Sequence, residues 1–125
     1  MITTTVLPRA ATLIGIAATF MLAMSQATAH AKLENTTPKA DSTVSSPQMI
    51  QVHFNEAIEV KLSSLKLMAS DGTDIPIMNM NDTKDPATLS IMPNMTLKPG
   101  VYTAAWSIVS DDGHKETGSF KFTVK

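Results

Sequence analysis

The sequence predicts an all-β domain, a Greek-key sandwich or barrel of about seven strands behind a cleaved export signal, on three observations. Beyond His30 no stretch carries a convincing helical period, whereas several short segments alternate apolar and polar residues. Turn chemistry separates these segments at Asp71-Gly72, Asp85-Pro86, Pro99-Gly100 and Asp112-Gly113. The opening residues have the layout of a secretory leader: Arg9, an uncharged run from Ala10 to Met24, then the small residues Ala27-Thr28-Ala29.

That apolar run is about 15 residues long, against roughly 20 for a permanent membrane helix. A leader (1–29) removed after Ala29 is therefore expected rather than a retained anchor. Removing 29 of 125 residues leaves 96, enough for one small domain over 30–125. An opening segment after His30 is the first strand. Ile50, Val52 and Phe54 alternate with Gln51 and His53, which puts one face of the second strand on a core. Leu65-Lys66-Leu67, Ile75 to Asn79 and Thr88 to Met92 follow. The long run Val101 to Val109 places Tyr102, Ala104, Trp106 and Ile108 on one face, and Phe120, Phe122 and Val124 close the chain as the last strand.

Only Arg9 leaves with the leader, so 9 basic residues face 11 acidic ones, a net charge of −2. Neither nucleic acid nor stable association with an anionic membrane is expected of such a chain. With no cysteine there are no disulfides, thiolate metal sites or N-terminal lipid attachment. Gly-rich phosphate loops, nucleophile elbows and His-Glu-x-x-His pairs are absent from the sequence. Metal chemistry must therefore use nitrogen, carboxylate or thioether ligands.

Three histidines exist, at 30, 53 and 114. Cleavage after Ala29 would make His30 the N-terminal residue, offering its α-amine and a ring nitrogen to one metal ion in a chelate ring. These groups titrate near 7.7–8.0 and 6.5 in model peptides, about where metal binding at neutral pH displaces few protons. In an extended chain residues two apart share a side, so Asp112 and His114 could share a ligand while Asp111 faces away. Together they give three nitrogens and one oxygen. An ordinary turn with a solvated histidine is the alternative reading of the same residues.

The chain resembles the CopC family of periplasmic copper-binding proteins over essentially all of 30–125. The resemblance is carried by His30-Ala31-Lys32-Leu33 with Pro38, by Val52-His53-Phe54-Asn55-Glu56, and by Leu97-Lys98-Pro99-Gly100 through Tyr102 and Trp106 to Val109-Ser110, Asp112, His114 and Gly118. It implies an Ig-like or cupredoxin-like sandwich with one Cu(II) ion on the N-terminal amine, His30, Asp112 and His114. A tetragonal nitrogen and oxygen set also suits Cu(II) better than Zn(II). Glu56, whose family counterpart lies near the copper, would orient the His30 ring or accept from the amine. His53 is expected to be an outward-facing surface histidine.

Some family members hold Cu(I) on methionines, and Met49, Met68, Met78, Met80, Met92 and Met95 remain beyond the leader. Core filling accounts for isolated methionines, and no histidine lies between Met68 and Met95; a Cu(I) site on Met68, Met78 and Met80 is not expected. The expected function is a monomeric, non-catalytic periplasmic carrier or buffer of Cu(II) in copper homeostasis or resistance, with an inner-membrane copper-transport protein as partner. A copper-dependent oxidative enzyme using the terminal histidine and a metal-free interaction domain are the alternatives.

Overall fold

The computed structural model describes residues 31–125, so the expected leader, its cleavage point and His30 lie outside the described residues. Eight strands follow one another: β1 (Leu33–Thr37), β2 (Thr43–Val44), β3 (Ile50–Phe54), β4 (Ser64–Ala69), β5 (Ile77–Asn79), β6 (Thr88–Pro93), β7 (Gly100–Val109) and β8 (Lys115–Val124). A single 3-10 turn, Val60–Leu62, precedes β4. The strands form two four-stranded sheets, ordered β1-β3-β6-β5 and β2-β8-β7-β4. The all-β expectation stands, but the expected count of seven strands is corrected to eight. The added strand is β2, whose two residues are too few to show a period and which pairs in parallel with Thr123 and Val124.

Both inner faces follow from alternation. Ile50, Val52 and Phe54 are buried on β3, while Tyr102, Ala104 and Ile108 are buried on β7 with Trp106 packed against the same core. Trp106 meets Phe54 edge-on at 6.1 Å, joining the two sheets, and Tyr102 stacks on Phe122 at 5.8 Å. Each such pair adds about 0.5–1.5 kcal/mol beyond the area it buries. The Tyr102 hydroxyl donates to the Lys98 carbonyl at 2.7 Å, which pins the turn leading into β7.

Several strand limits differ from expectation, β4 running from Ser64 to Ala69 among them, and two of the differences have a visible reason. β8 begins at Lys115, paired with Val109 well before Phe120, and its first half shows no apolar period because the ring of Trp106 covers its cross-strand partner Gly118. A Cβ at Gly118 would lie 2.2 Å from Trp106 Cζ2, so the apolar surface at that position comes from β7 and the alternation vanishes from β8. β5 is shorter than Ile75 to Asn79: the Ile75 N–H donates to the Leu67 carbonyl and Asp74 bridges Met68, beside β4. Past Pro76 the chain crosses to the other sheet, where Ile77 pairs with Pro93. Among the described residues no helix is long and apolar enough to cross a membrane.

Candidate metal centre

At one end of the sandwich β7 turns into β8 through Ser110 to His114. The Gly113 N–H donates to the Ser110 carbonyl at 2.8 Å, and the Ser110 N–H donates to the His114 carbonyl at 2.9 Å. Gly113 sits at φ 85°, a left-handed conformation that glycine takes without steric cost. This closed turn, rather than the alternation of an extended strand, is what brings Asp112 and His114 together. His114 Nδ1 lies 2.8 Å from Asp112 Oδ2, and the His114 N–H donates to Asp112 Oδ1 at 3.2 Å. The Ser110 hydroxyl donates to that same Oδ1.

These donors hold the Asp112 carboxyl well below the usual carboxylate range, the Ser110 hydroxyl first, then the His114 ring and amide. An ionised carboxylate on Nδ1 fixes the imidazole tautomer and makes Nε2 the nitrogen that carries the lone pair. Sequence reasoning passed over Ser110 as a functional residue, though a signal for it exists. It continues the inward period of Tyr102, Ala104, Trp106 and Ile108 as a hydroxyl, and it is 2% exposed.

Glu56 leaves β3 at this same end. Ile58 bridges Ser110 in antiparallel fashion and the Glu59 N–H donates to the Val109 carbonyl at 2.8 Å. Glu56 stands two residues before Ile58, at the end of the sandwich where that bridge meets the turn. Its Oε1 is buried and has no hydrogen-bond partner among the described residues. Leaving a buried carboxylate oxygen without a donor is costly, so a donor or a cation belongs there. The start of the described chain is tied to the neighbouring residue: the Lys32 N–H donates to Asn55 Oδ1 at 2.7 Å, and the Asn55 N–H donates to the Lys32 carbonyl at 2.9 Å. Ala31, directly before it, is buried in the core.

Of the expected ligands, then, Asp112 and His114 are in contact and His30 lies outside the described residues, while Glu56, expected to support them, lies at their end of the sandwich. Among the described residues no three His, Asp or Glu side chains converge as a metal cluster. The methionine trio is divided between the sheets, with Met68 on β4 and Met78 on β5; Met78 stands opposite Met92. His53 points outward as expected, but it is bonded: its Nδ1 lies 2.7 Å from Thr88 Oγ1.

A two-sheet β-sandwich that carries a histidine on an ionised carboxylate, beside the anchored start of its chain, defines a small all-β protein with a candidate metal centre at one end. The chain belongs to the CopC family, whose CopC domain matches residues 33–125. It is 37% identical to copper resistance protein C of Escherichia coli over 79% of this chain and 84% of that one. The crystal structure of PcoC, a methionine-rich copper resistance protein from Escherichia coli, superposes with a TM-score of 0.71 at 35% identity, covering 78% of this chain and 100% of that one. A 29% identical match covers 77% of this chain but 18% of the copper transport protein CutJ of Bacillus subtilis. These relatives are named as copper resistance and copper transport proteins rather than as enzymes.

Proposed function

We propose that this protein binds one Cu(II) ion per processed chain in the periplasm and buffers or carries it in copper homeostasis and resistance. The ligands are the terminal amine and ring of His30 together with His114 and Asp112, and Glu56 accepts from the amine or the His30 ring. One observation carries this reading: His114 is held on an ionised Asp112 in a closed turn, at the end of the sandwich where the Lys32–Asn55 tie anchors the start of the chain. The orphaned Glu56 oxygen supports it, since an N–H of the coordinated amine or of the imidazole would supply the missing donor.

Nitrogen and carboxylate donors suit Cu(II), and filling the plane with four protein ligands leaves only weak axial positions, which fits a carrier. The partner is an inner-membrane copper-transport protein; the CopC-like stretch inside the longer copper transport protein CutJ supports that pairing. The chain works as a monomer with a Greek-key strand order.

The test is electron paramagnetic resonance of the chain as the cell processes it, against a chain with one residue added before His30. Processed protein should give a tetragonal Cu(II) signal with nitrogen couplings, and the extended chain should lose most of its affinity. Equal affinity and superimposable spectra would remove the terminal amine from the site.

A further inference from the structure

Away from the turn, the outer face of the β1-β3-β6-β5 sheet carries a second histidine–carboxylate arrangement. Thr88 Oγ1 donates to Asp85 Oδ2 at 2.7 Å, which uses the only proton of that hydroxyl. His53 Nδ1 lies 2.7 Å from the same oxygen, so Nδ1 must be the donor there and Nε2 carries the lone pair. That Nε2 faces Glu34 Oε2 at 3.6 Å, with the two side chains 43% and 55% exposed. Asn35, Gln51 and Thr37 border an open hollow of about 270 Å³ together with His53, Asp85 and Thr88. Gln51 commits its amino group to Ser90 Oγ at 3.0 Å, which leaves its carbonyl oxygen as the end available to the hollow.

We propose that His53 Nε2 and the Glu34 carboxylate form a second metal site, which takes a tetrahedral divalent cation, Zn(II), and completes its shell with water. The 3.6 Å separation is too long for a hydrogen bond. It is close to the span of two zinc bonds: bonds of about 2.0–2.1 Å meeting at a tetrahedral angle place nitrogen and oxygen about 3.4 Å apart. In a square plane the same bonds would need about 2.9 Å between adjacent ligands or about 4.1 Å between opposite ones, so the gap matches the tetrahedral span of Zn(II) better than either Cu(II) pair.

The support behind the imidazole is that of a built site. Metal-ligating histidines donate their other ring N–H to an oxygen acceptor that fixes tautomer and orientation, and the Thr88–Asp85 relay does this for His53. Of its four residues, His53 and Thr88 are paired across β3 and β6, Glu34 sits at the irregularity of β1 just before Asn35, the partner of His53, and Asp85 reaches Thr88 from the loop before β6. This inference does not rest on the Cu(II) reading.

The experiment is a Zn(II) titration of the processed chain followed by NMR of the imidazole rings and backbone amides. Zn(II) should shift the His53 ring together with the Glu34 and Asn35 amides. H53Q should abolish those shifts at Glu34 and Asn35 and spare any at Asp112 to His114. Should H53Q fail to fold, E34Q at its exposed position does the same work, with affinity at this site falling about tenfold or more. T88V should move His53 toward the Nε2–H tautomer, read from ring nitrogen shifts, and weaken Zn(II) about tenfold. Shifts confined to the Asp112–His114 turn, shifts at Glu34 that persist in H53Q or E34Q, or a parent His53 already in the Nε2–H tautomer would each overturn the proposal.

Discussion

His114 meets its carboxylate at 2.8 Å through Nδ1, whereas His53 faces its carboxylate at 3.6 Å through Nε2. The first pair is closed and local: a turn from Ser110 to His114 supplies both partners and the hydroxyl behind them. The second is open and assembled from three strands and a loop. In the turn the acid and Nδ1 stand 2.8 Å apart, about the span of two adjacent ligands in a square plane, so an ion that displaced the Nδ1 proton would be shared by both. On the sheet a threonine and a remote acid orient the ring, and the facing acid is left to share the ion. The same two residue types thus stand in two arrangements, told apart by their separation and by which ring nitrogen the carboxylate faces.

The widest separation between the two pairs should appear in copper affinity. H114Q should weaken Cu(II) binding by more than about 100-fold, beyond the usual cost of losing an outer partner, while H53Q leaves the tightest Cu(II) site unchanged. Competition against a chelator of known affinity measures both; equal losses would erase the distinction drawn here. Next in size is G118A, which forces a Cβ against Trp106 beneath the hairpin that carries the turn. Overpacking of this kind costs about 1–3 kcal/mol, seen as a drop in Tm, and H53Q on the outer sheet face should show no such drop.

Smaller again is S110A. Removing the foremost donor to Asp112 should lower Cu(II) affinity about tenfold and raise the Asp112 pKa toward the ordinary carboxylate value. The least effect is on stability against pH. Because the folded Asp112 pKa is depressed, its contribution is whole above the unfolded value of about 3.9 and disappears only as pH falls through the lower folded value. Carboxyl carbon shifts should therefore show Asp112 ionised where ordinary carboxylates have protonated. A midpoint in the ordinary range would mean that the turn does not hold the carboxylate as described.

The same contrast explains what could be read from the sequence. Local patterns survive in one dimension: the period of Ile50, Val52 and Phe54, the Asp112-Gly113 turn, and the Asp112 and His114 spacing were all visible. Partners from distant strands were not. β2 has no period of its own and exists because β8 offers it an edge. The inward position at Gly118 reads as a gap until Trp106 is seen over it. Glu34, His53, Asp85 and Thr88 are each unremarkable where they stand in the chain, and only the register of β1, β3 and β6 makes them neighbours.

The paired hydrogen bonds between Lys32 and Asn55 have a consequence for how quickly a metal site at this end could close. A ligand on the residue before Ala31 is one Cα step, about 3.8 Å, from a buried residue. Its search for the turn is then an intramolecular encounter at high effective concentration, as with two modules on a very short linker. The ordering of Ala31 and Lys32 is spent in folding, before any ion arrives, so loosening the Asn55 tie should act as dilution of a ligand rather than as its removal.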